Sequence, residues 1–362
     1  MHDLRSMTLP EMESLFLNQY NEKRFRATQV FEWINRKLAV SFDEMTNISR
    51  GLRSRLSVAG DISIVKIKEK YISNDGLTTK YLFELGKDTI IESVAMKYFF
   101  GWSVCVSTQA GCRMGCVFCA SSYGGLSRNL SAGEICAQVY EMQKDIGERI
   151  SHIVVMGSGE PFDNYDNLLK FIKIITHERG LRIGARHITV STCGLTDKIR
   201  EFANEGLQVN LAISLHAADQ QLRESLMPIT KKNSLEELFS ACRDYSIKTG
   251  RRITYEYALI AGINDSASCA VILAKKLKQG SLETPHGGET ALRAPGNFAA
   301  PHVNLIPLNE IPGKAYKRSD RKTVEIFMKT LTRYGIETTL RRTLGDDVNG
   351  ACGQLRSEYL RK

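Results

Sequence analysis

Short apolar strands alternate with helical patterns from about residue 103 onward, and this alternation restricts the fold more than any other feature of the sequence. Each candidate strand is a short run of apolar residues, and the strands are 103–106, 153–156, 187–190, 211–215, 253–259 and 303–308. Helical patterns such as 134–142, 168–175 and 235–245 lie between most of them, and Ser131-Ala132-Gly133-Glu134 is typical of a capping box at the start of the first. Strand–helix repeats of this kind predict an α/β fold whose parallel sheet curls into a partial (β/α)6 barrel. Active-site residues in such folds lie on the loops that follow the carboxyl ends of the strands.

The residues before the barrel have a different pattern. Residues 1–60 place apolar side chains at helical spacing, and Thr8-Leu9-Pro10-Glu11 is typical of a helix start. Further along, residues 61–102 change to a period of two, and Asn74-Asp75-Gly76 predicts a β-hairpin turn. We therefore expect a helical accessory domain at 1–60, a β extension at 61–102, the barrel at 103–345 and a C-terminal segment at 346–362.

One stretch interrupts the alternation of strands and helices. Gly280 to Pro301 is rich in proline and glycine and has little periodicity. It therefore predicts a long surface loop, either functional or disordered.

The charge of the chain indicates what kind of partner it binds. Lysine and arginine number 49 against 40 aspartate and glutamate, which gives a net charge of +9. Such an excess favours a polyanionic partner such as nucleic acid, although a merely basic enzyme is equally consistent with it. Because we find neither a secretory signal nor an apolar run of about 18 residues, we expect a cytoplasmic protein that does not bind membranes.

The strongest chemical signal is a cysteine motif directly after the first predicted barrel strand. Cys112, Cys116 and Cys119 are separated by three and by two residues, so their thiolates can converge on one [4Fe-4S] cluster. The fourth iron would then have no protein ligand and could chelate S-adenosylmethionine (SAM), delivering one electron to its sulfonium. A zinc site is the alternative, with Cys105 or His216 as the fourth ligand that structural zinc requires.

Several polar residues follow the other predicted strands and are candidates for holding this cosubstrate. They share a position at strand ends, and they are the segments Gly157 to Pro161, Ser191 to Gly194 and Ser214 to His216, together with Asn309. Two further cysteines draw attention. Cys352 lies in a segment of small residues that leaves a thiol accessible, whereas Cys105 lies in the strand before the cysteine motif. Cys105 could equally be a core residue.

These motifs together resemble the RlmN/Cfr family of radical SAM RNA adenine methyltransferases, and the RlmN branch is the closer. The resemblance covers nearly the whole chain. Its motifs are Phe25 to Val30 with Trp33, the cysteine motif with Ser127-Arg128-Asn129-Leu130, Ser214-Leu215-His216-Ala217, and Ala351-Cys352-Gly353-Gln354-Leu355. The RlmN branch methylates carbon-2 of an adenine in 23S ribosomal RNA and of one beside the tRNA anticodon. The Cfr branch methylates carbon-8 of the same ribosomal adenine and causes antibiotic resistance.

The resemblance also implies a mechanism. One SAM methylates Cys352, and a second, cleaved at the cluster, yields a radical that takes a hydrogen from that methyl group. The resulting carbon radical adds to the adenine, and Glu92 accepts the ring proton. Cys105 then attacks the sulfur of Cys352, which releases methylated RNA and leaves a disulfide.

The remaining implications concern SAM and partners. By resemblance, the SAM contacts are the strand-end residues Gly159, Glu160, Ser191, Ser214, Leu215, His216 and Asn309. The expected partners are 23S rRNA, tRNA and an electron donor such as flavodoxin or ferredoxin, with the enzyme a monomer and its N-terminal domain on the RNA.

Three departures from the family pattern bear on these expectations. Asn349-Gly350 replaces an acid–alanine pair before Ala351-Cys352, Cys193 replaces a serine, and Gly280–Pro301 looks like an insertion. The rival interpretations are the carbon-8 enzyme, a radical enzyme that activates another protein, and a zinc-holding RNA-binding module.

Overall fold

The computed structural model describes residues 2–62, 65–86, 89–282, 301–311 and 314–341. They form two compact units, one made of residues 2–113 and 123–188 and the other of residues 114–122 and 189–341. Within these residues every helix is too short or too polar to cross a membrane.

The first unit begins with helices and continues with strands. Its helices are α1 (Leu9–Gln19), α2 (Arg24–Asn35), α3 (Arg50–Ala59), α4 (Ala132–Ile146) and α5 (Tyr165–Thr176). Its strands are β1 (His2–Asp3), β2 (Gly60–Asp61), β3 (Lys66–Ile72), β4 (Thr78–Leu85), β5 (Thr89–Tyr98), β6 (Gly101–Cys105), β7 (Gln109–Gly111), β8 (Leu126–Asn129) and β9 (Ile150–Val155). Strands β3 to β6 form an antiparallel meander, and β9 pairs in parallel with β6.

The N-terminal helices of this unit pack on its later helices through polar contacts. Ser6 Oγ accepts a hydrogen bond of 2.7 Å from the backbone N–H of Gly133, and a Cβ at Gly133 would lie 2.8 Å from that oxygen. Tyr140 donates to Asn35 Oδ1 at 2.8 Å. Helix α4 therefore bonds both to Ser6, which precedes α1, and to Asn35, the last residue of α2.

The second unit is a parallel sheet with helices between its strands. Its strands pair in chain order and are β10 (Ile188–Thr192), β11 (Asn210–Ser214), β12 (Ile253–Leu259), β13 (His302–Pro307) and β14 (Glu337–Leu340). Its helices are α6 (Thr196–Phe202), α7 (Gln220–Leu226), α8 (Leu235–Thr249), α9 (Ala267–Leu282) and α10 (Arg321–Arg333).

The predicted alternation of strands and helices is confirmed, and the six expected barrel strands correspond to β6 and β9 to β13. The capping box at Ser131 and the hairpin at Asn74-Asp75-Gly76 are also present. One detail is wrong. The loop expected from Gly280 begins later, because the helical hydrogen-bonding pattern of α9 continues to Leu282.

Aromatic contacts distinguish the two faces of the sheet in the second unit. Tyr255 packs on Phe239 of α8, and Tyr257 packs on Phe327 of α10. Ser214, Glu256 and Asn304 alternate with these residues and therefore lie on the opposite face. That face carries the polar side chains described below.

Candidate active site

The loop after β9 in the first unit approaches its neighbours so closely that only glycine fits. A Cβ at Gly157 would lie 2.6 Å from Ser107 Oγ, and one at Gly159 would lie 2.6 Å from the Cβ of Gln109. Gly159 also has φ +110°, which side chains other than hydrogen rarely allow. The glycines predicted from the sequence thus let this loop lie directly against residues 106–109.

Gln109 fixes the position of Glu160 on this loop. Its Oε1 accepts from the backbone N–H of Glu160 at 2.8 Å. Its Nε2 donates to Asn129 Oδ1 and to Asp163 Oδ2, both at 2.8 Å. Asp163 in turn forms an ion pair with Arg113. Gln109 and Asp163 were not predicted from the sequence, because their partners become clear only when the loop after β9 is seen to lie against β7.

The side chain of Glu160 is buried, and its orientation is set by the backbone. Oε1 accepts from the N–H of Phe162 at 3.0 Å. Asn164 holds the same loop by donating to the carbonyls of Thr108 at 2.8 Å and Leu130 at 2.7 Å. The carboxylate assigned to SAM by resemblance is therefore held in one orientation.

Glu92 and Cys105 share one face of adjoining strands in the first unit. Cys105 on β6 lies directly opposite Val94 on β5, two residues beyond Glu92, and directly opposed residues share a face. Cys105 packs with Val94 and Met96 and is buried. The other face of β5 carries Ser93, which donates to Gln138 of α4 at 2.7 Å.

Lys80 is the neighbour of Glu92 that the sequence analysis missed. Lys80 lies on β4, directly opposite Val94 of β5, and its Nζ is 3.6 Å from Glu92 Oε2. The lysine side chain is 0% exposed and the glutamate side chain 2% exposed, so the two charges are removed from water together. The side chain of Ser107 adds a contact to the main chain of Glu92, because its Oγ donates to the Glu92 carbonyl at 2.6 Å.

The cysteine motif is divided between the units, and each part has its own surroundings. Cys112, in the first unit, is buried and donates its backbone N–H to the carbonyl of Gly125 at 3.0 Å. In the second unit Cys119 N–H donates to the carbonyl of Cys116 at 3.2 Å. Cys116 packs against an apolar cluster that includes Leu226 and Met227.

The donor chemistry of this motif fits an iron–sulfur cluster. Thiolates are the usual ligands of such clusters, and Gly115 has φ +73°, a turn that lets the backbone curve between ligands. Among the described residues, no three His, Cys, Asp or Glu side chains come close enough together to hold a single metal ion.

His216, in the second unit, is held as a neutral ring. Its Nδ1 accepts from the N–H of Ala258 at 3.0 Å, which places the ring proton on Nε2. Burial, with the nearby charge of Arg223, lowers the pKa of His216 to about 3. The ring lies 4.9 Å from that of Phe118, the residue before Cys119. The hydrogen bond and the lowered pKa therefore both favour a neutral ring that carries its proton on Nε2.

A row of polar side chains crosses the face of this sheet away from its helices. Ser191 Oγ and Ser214 Oγ are 3.2 Å apart, and Ser214 lies opposite Glu256 on the next strand. Glu256 Oε2 accepts from Asn304 at 2.9 Å, and burial raises the pKa of Glu256 to about 7. Ser191 and Ser214 were expected from the sequence, but Glu256 was not, although an acid within a run of aromatic and apolar residues is a signal.

The remaining candidates are partly within the described residues. Leu215 is buried after β11, and Asn309 is half-buried after β13. Cys352, with Asn349 and Gly350 before it, lies outside the described residues, as does most of Gly280–Pro301.

Comparison with known proteins defines the class first. Residues 106–268 match the Radical SAM superfamily, and residues 2–62 match the ribosomal RNA large subunit methyltransferase N-terminal domain. The solved structure of a radical SAM methyltransferase from Sphaerobacter thermophilus is 40% identical, with a TM-score of 0.88, and the match covers 99% of this chain and 100% of that one. The fold is therefore that of a radical SAM enzyme, a family whose members use a [4Fe-4S] cluster and SAM.

Relatives that match over their full length define the family. A protein of Clostridium novyi (strain NT) named "Probable dual-specificity RNA methyltransferase RlmN" is 50% identical over 361 residues, which are 100% of this chain and 99% of the relative. A protein of Thermoanaerobacter sp. (strain X514) with the same name is 49% identical over 362 residues, covering both chains completely. The chain belongs to the RlmN family. The resemblance seen in the sequence is confirmed, and the Cfr alternative is not favoured.

Proposed function

We propose that this protein methylates carbon-2 of an adenine in 23S ribosomal RNA, and of the adenine beside the anticodon in tRNA, through a methylated cysteine. The observation that carries the proposal is the placement of Glu92 and Cys105 on one buried face of adjoining strands. The base must reach the ring proton of the adenine, and the resolving thiol must reach the Cys352 sulfur that is linked to the same adenine, so the two groups are needed close together, and this face carries both. The full-length similarity to proteins named as RNA methyltransferases supports the choice of RNA.

The cofactors would be held by the residues already described. Cys112, Cys116 and Cys119 would ligate a [4Fe-4S] cluster, which supplies the electron that breaks a carbon–sulfur bond of SAM. Two SAM molecules are used per turnover, one for the methyl group and one for the cleavage. Glu160 is oriented to accept hydrogen bonds from the ammonium group of SAM, because Gln109 fixes its backbone and Phe162 one of its oxygens.

The strand ends of the second unit would hold the rest of SAM. Ser191 and Ser214 present adjacent hydroxyls, and His216, whose pKa burial lowers, would present an Nε2–H donor. Leu215 and Asn309 follow the ends of β11 and β13, where parallel α/β folds bind ligands.

Glu92 and the two thiols would complete the reaction on RNA. Once carbon-2 of the adenine is bonded to the methylene group on Cys352, Glu92 takes the proton from that carbon, and the oxidised cluster would be the acceptor for the unpaired electron of the adduct. Cys105 then attacks the sulfur of Cys352, so that a disulfide forms and the carbon–sulfur bond breaks. The released carbon takes a proton and becomes the methyl group. We infer that Lys80 helps Glu92 to begin as an anion, since its ammonium lies beside the carboxylate.

We also propose partners and location. The basic surface of the N-terminal helices would bind RNA, and a flavodoxin or ferredoxin would reduce the cluster. A single chain holds every proposed residue, so we expect a monomer. Because the substrates are ribosomal and transfer RNA, we expect it to act in the cytoplasm.

The test replaces the thiols one at a time. Cys105→Ala should still attach the methylene group to adenine but should not release it, so an RNA–protein crosslink should accumulate. Cys352→Ala should give neither crosslink nor product. Cys136→Ala, a change at a buried cysteine of α4, is the matched control and should turn over normally. Gel electrophoresis before and after nuclease digestion detects the crosslink.

Mass spectrometry of the product identifies the ring carbon. We expect 2-methyladenine from wild-type protein and from Cys136→Ala. Normal turnover by Cys105→Ala would contradict the resolving role, and 8-methyladenine would contradict the assignment to carbon-2.

A further inference from the structure

Arg223 in the second unit is a fully buried cation surrounded by neutral acceptors. It lies on α7 and is 0% exposed. Its Nε donates to the carbonyl of Leu215 at 3.0 Å, and its Nη1 donates to Thr230 Oγ1 at 2.7 Å. Its Nη2 donates to the carbonyls of Cys193 at 2.6 Å and Ser214 at 3.2 Å. Among the described residues no carboxylate is among the charged groups that act on it, although buried charges usually have an opposite charge beside them.

This arrangement fixes the charge in space. Planar guanidinium presents its donors as a rigid fork, and here the fork joins the loop after β10, the loop after β11 and Thr230. Three of the four acceptors are main-chain carbonyls, so they persist whatever side chain those positions carry. This explains why cysteine can replace serine at position 193: the carbonyl, not the side chain, binds Arg223.

The fixed charge lies beside the cysteine motif. Leu226, three residues after Arg223, accepts from the N–H of Val117 at 3.0 Å. Cys116 packs against the apolar cluster formed by Cys193, Leu226 and Met227. Burial lowers the pKa of Arg223, and the nearby sulfurs of Cys193 and Cys116 act in the opposite direction. Cys116, an expected cluster ligand, therefore packs against the same group of side chains that lies next to Arg223.

We infer that Arg223 raises the reduction potential of the iron–sulfur cluster. A cluster with thiolate ligands becomes more negative when it gains an electron, and a fixed positive charge in a water-poor interior stabilises that added charge. The same fork holds the carbonyls of Ser214 and Leu215, so the group that would favour reduction also positions the loop expected to bind SAM. This inference rests on the proposed function, since it requires the cluster.

Substitutions that change the charge separately from the hydrogen bonds test the inference. Arg223→Lys keeps the charge and loses most of the fork, whereas Arg223→Gln loses the charge and keeps a donor. Thr230→Asp keeps Arg223 but replaces its hydroxyl acceptor with a carboxylate, which offsets the positive charge. This variant still tests the inference if Arg223→Gln does not fold. Arg200→Gln, at an exposed arginine of the same unit, is the matched control.

The measurement is a potentiometric titration of the reconstituted full-length protein, followed by the electron paramagnetic resonance signal of the reduced cluster. Arg223→Gln and Thr230→Asp should have midpoint potentials more negative than wild type, while Arg223→Lys and Arg200→Gln should stay near it. Unchanged midpoints in both charge-altering variants, or an equal shift in Arg223→Lys, would overturn the inference. Wild-type protein that takes up no iron would instead overturn the proposed function.

Discussion

Lys80 and Arg223 are both fully buried cations, yet the two units surround them with opposite chemistry. Lys80 lies beside the carboxylate of Glu92, so the two charges offset each other over a short distance. Arg223 donates to three carbonyls and one hydroxyl, so its positive charge is not cancelled by a neighbouring acid among the described residues. A cation paired with an acid stabilises the negative charge of that acid. A cation among neutral acceptors can stabilise any negative charge nearby. The groups that accept hydrogen bonds from a buried cation therefore indicate its function better than its burial does.

The largest expected effect tests whether Lys80 and Glu92 stabilise each other as an ion pair. Lys80→Met should destabilise the protein by about 3–5 kcal/mol, because it leaves a carboxylate buried without its cation. Adding Glu92→Gln should restore much of that loss. Urea denaturation of the three variants measures both values. A double variant no more stable than Lys80→Met would show that the two side chains are not coupled.

Lys68→Met is the matched control for this experiment. Lys68 pairs with Glu84 at 3.1 Å on neighbouring strands, but both side chains are substantially exposed. Exposed pairs contribute about 0–1 kcal/mol, so this substitution should have little effect. No single substitution should rescue a neutral Arg223 variant in the same manner, because most of its acceptors belong to the main chain.

An intermediate effect concerns Glu256, an acid of the second unit with no ion pair within 4 Å among the described residues. Burial raises its pKa from an ordinary 4.5 to about 7. The folded chain therefore keeps a proton that the unfolded chain releases, and stability should fall as the pH rises from 4.5 to 7. The loss approaches about 3 kcal/mol at full extent, since one pKa unit corresponds to about 1.4 kcal/mol.

Glu256→Gln should remove this dependence, because an amide imitates the protonated acid at every pH. Relative to wild type, the variant should gain stability between pH 5 and pH 8, as thermal unfolding at several pH values would show. Equal pH dependence in both proteins would mean that Glu256 is ionised in the folded state. Its charge would then be stabilised by its surroundings, as Lys80 stabilises that of Glu92.

The smallest effects belong to cations that are neither buried nor paired with acids. Lys23, Arg24, Arg36 and Lys37 are exposed in the N-terminal helices, and Lys37 Nζ lies 3.6 Å from the centre of the Trp33 ring. Each alanine substitution that removes a phosphate contact should weaken RNA binding and reduce the salt slope of log affinity by about 1. Arg321→Ala, at an exposed arginine of α10, should leave the slope unchanged. Filter binding over a range of salt concentrations separates these outcomes.

Local patterns were enough to predict much of the fold. Residues 253–259 form the strand expected from their apolar run, and Ser131 caps the expected helix through Glu134. The ends of strands also pointed to Glu160 and Ser214, since parallel folds use that edge for ligands. These predictions need only spacing and neighbouring residues.

Residues that act across strands could not be predicted in this way. Gln109 binds Glu160, and Arg223 binds Cys193, over separations of 51 and 30 residues. Such contacts depend on register and on which loops meet, neither of which a single sequence specifies. Glu92 did carry a signal, because it lies between apolar residues of a strand, whereas Lys80 follows two threonines and gave none.

The outer strand of the meander has a consequence for how this protein behaves at high concentration. Within the described residues β3 pairs only with β4, so its other side is an edge of the sheet to which another strand could add. Its exposed positions carry Lys66, Lys68 and Lys70, and the last two reach across to Glu84 and Asp145. Another strand that docked there would have to desolvate these ammonium groups. The lysines thus disfavour edge-to-edge aggregation through β3, and we expect them to help keep the protein in solution at high concentration.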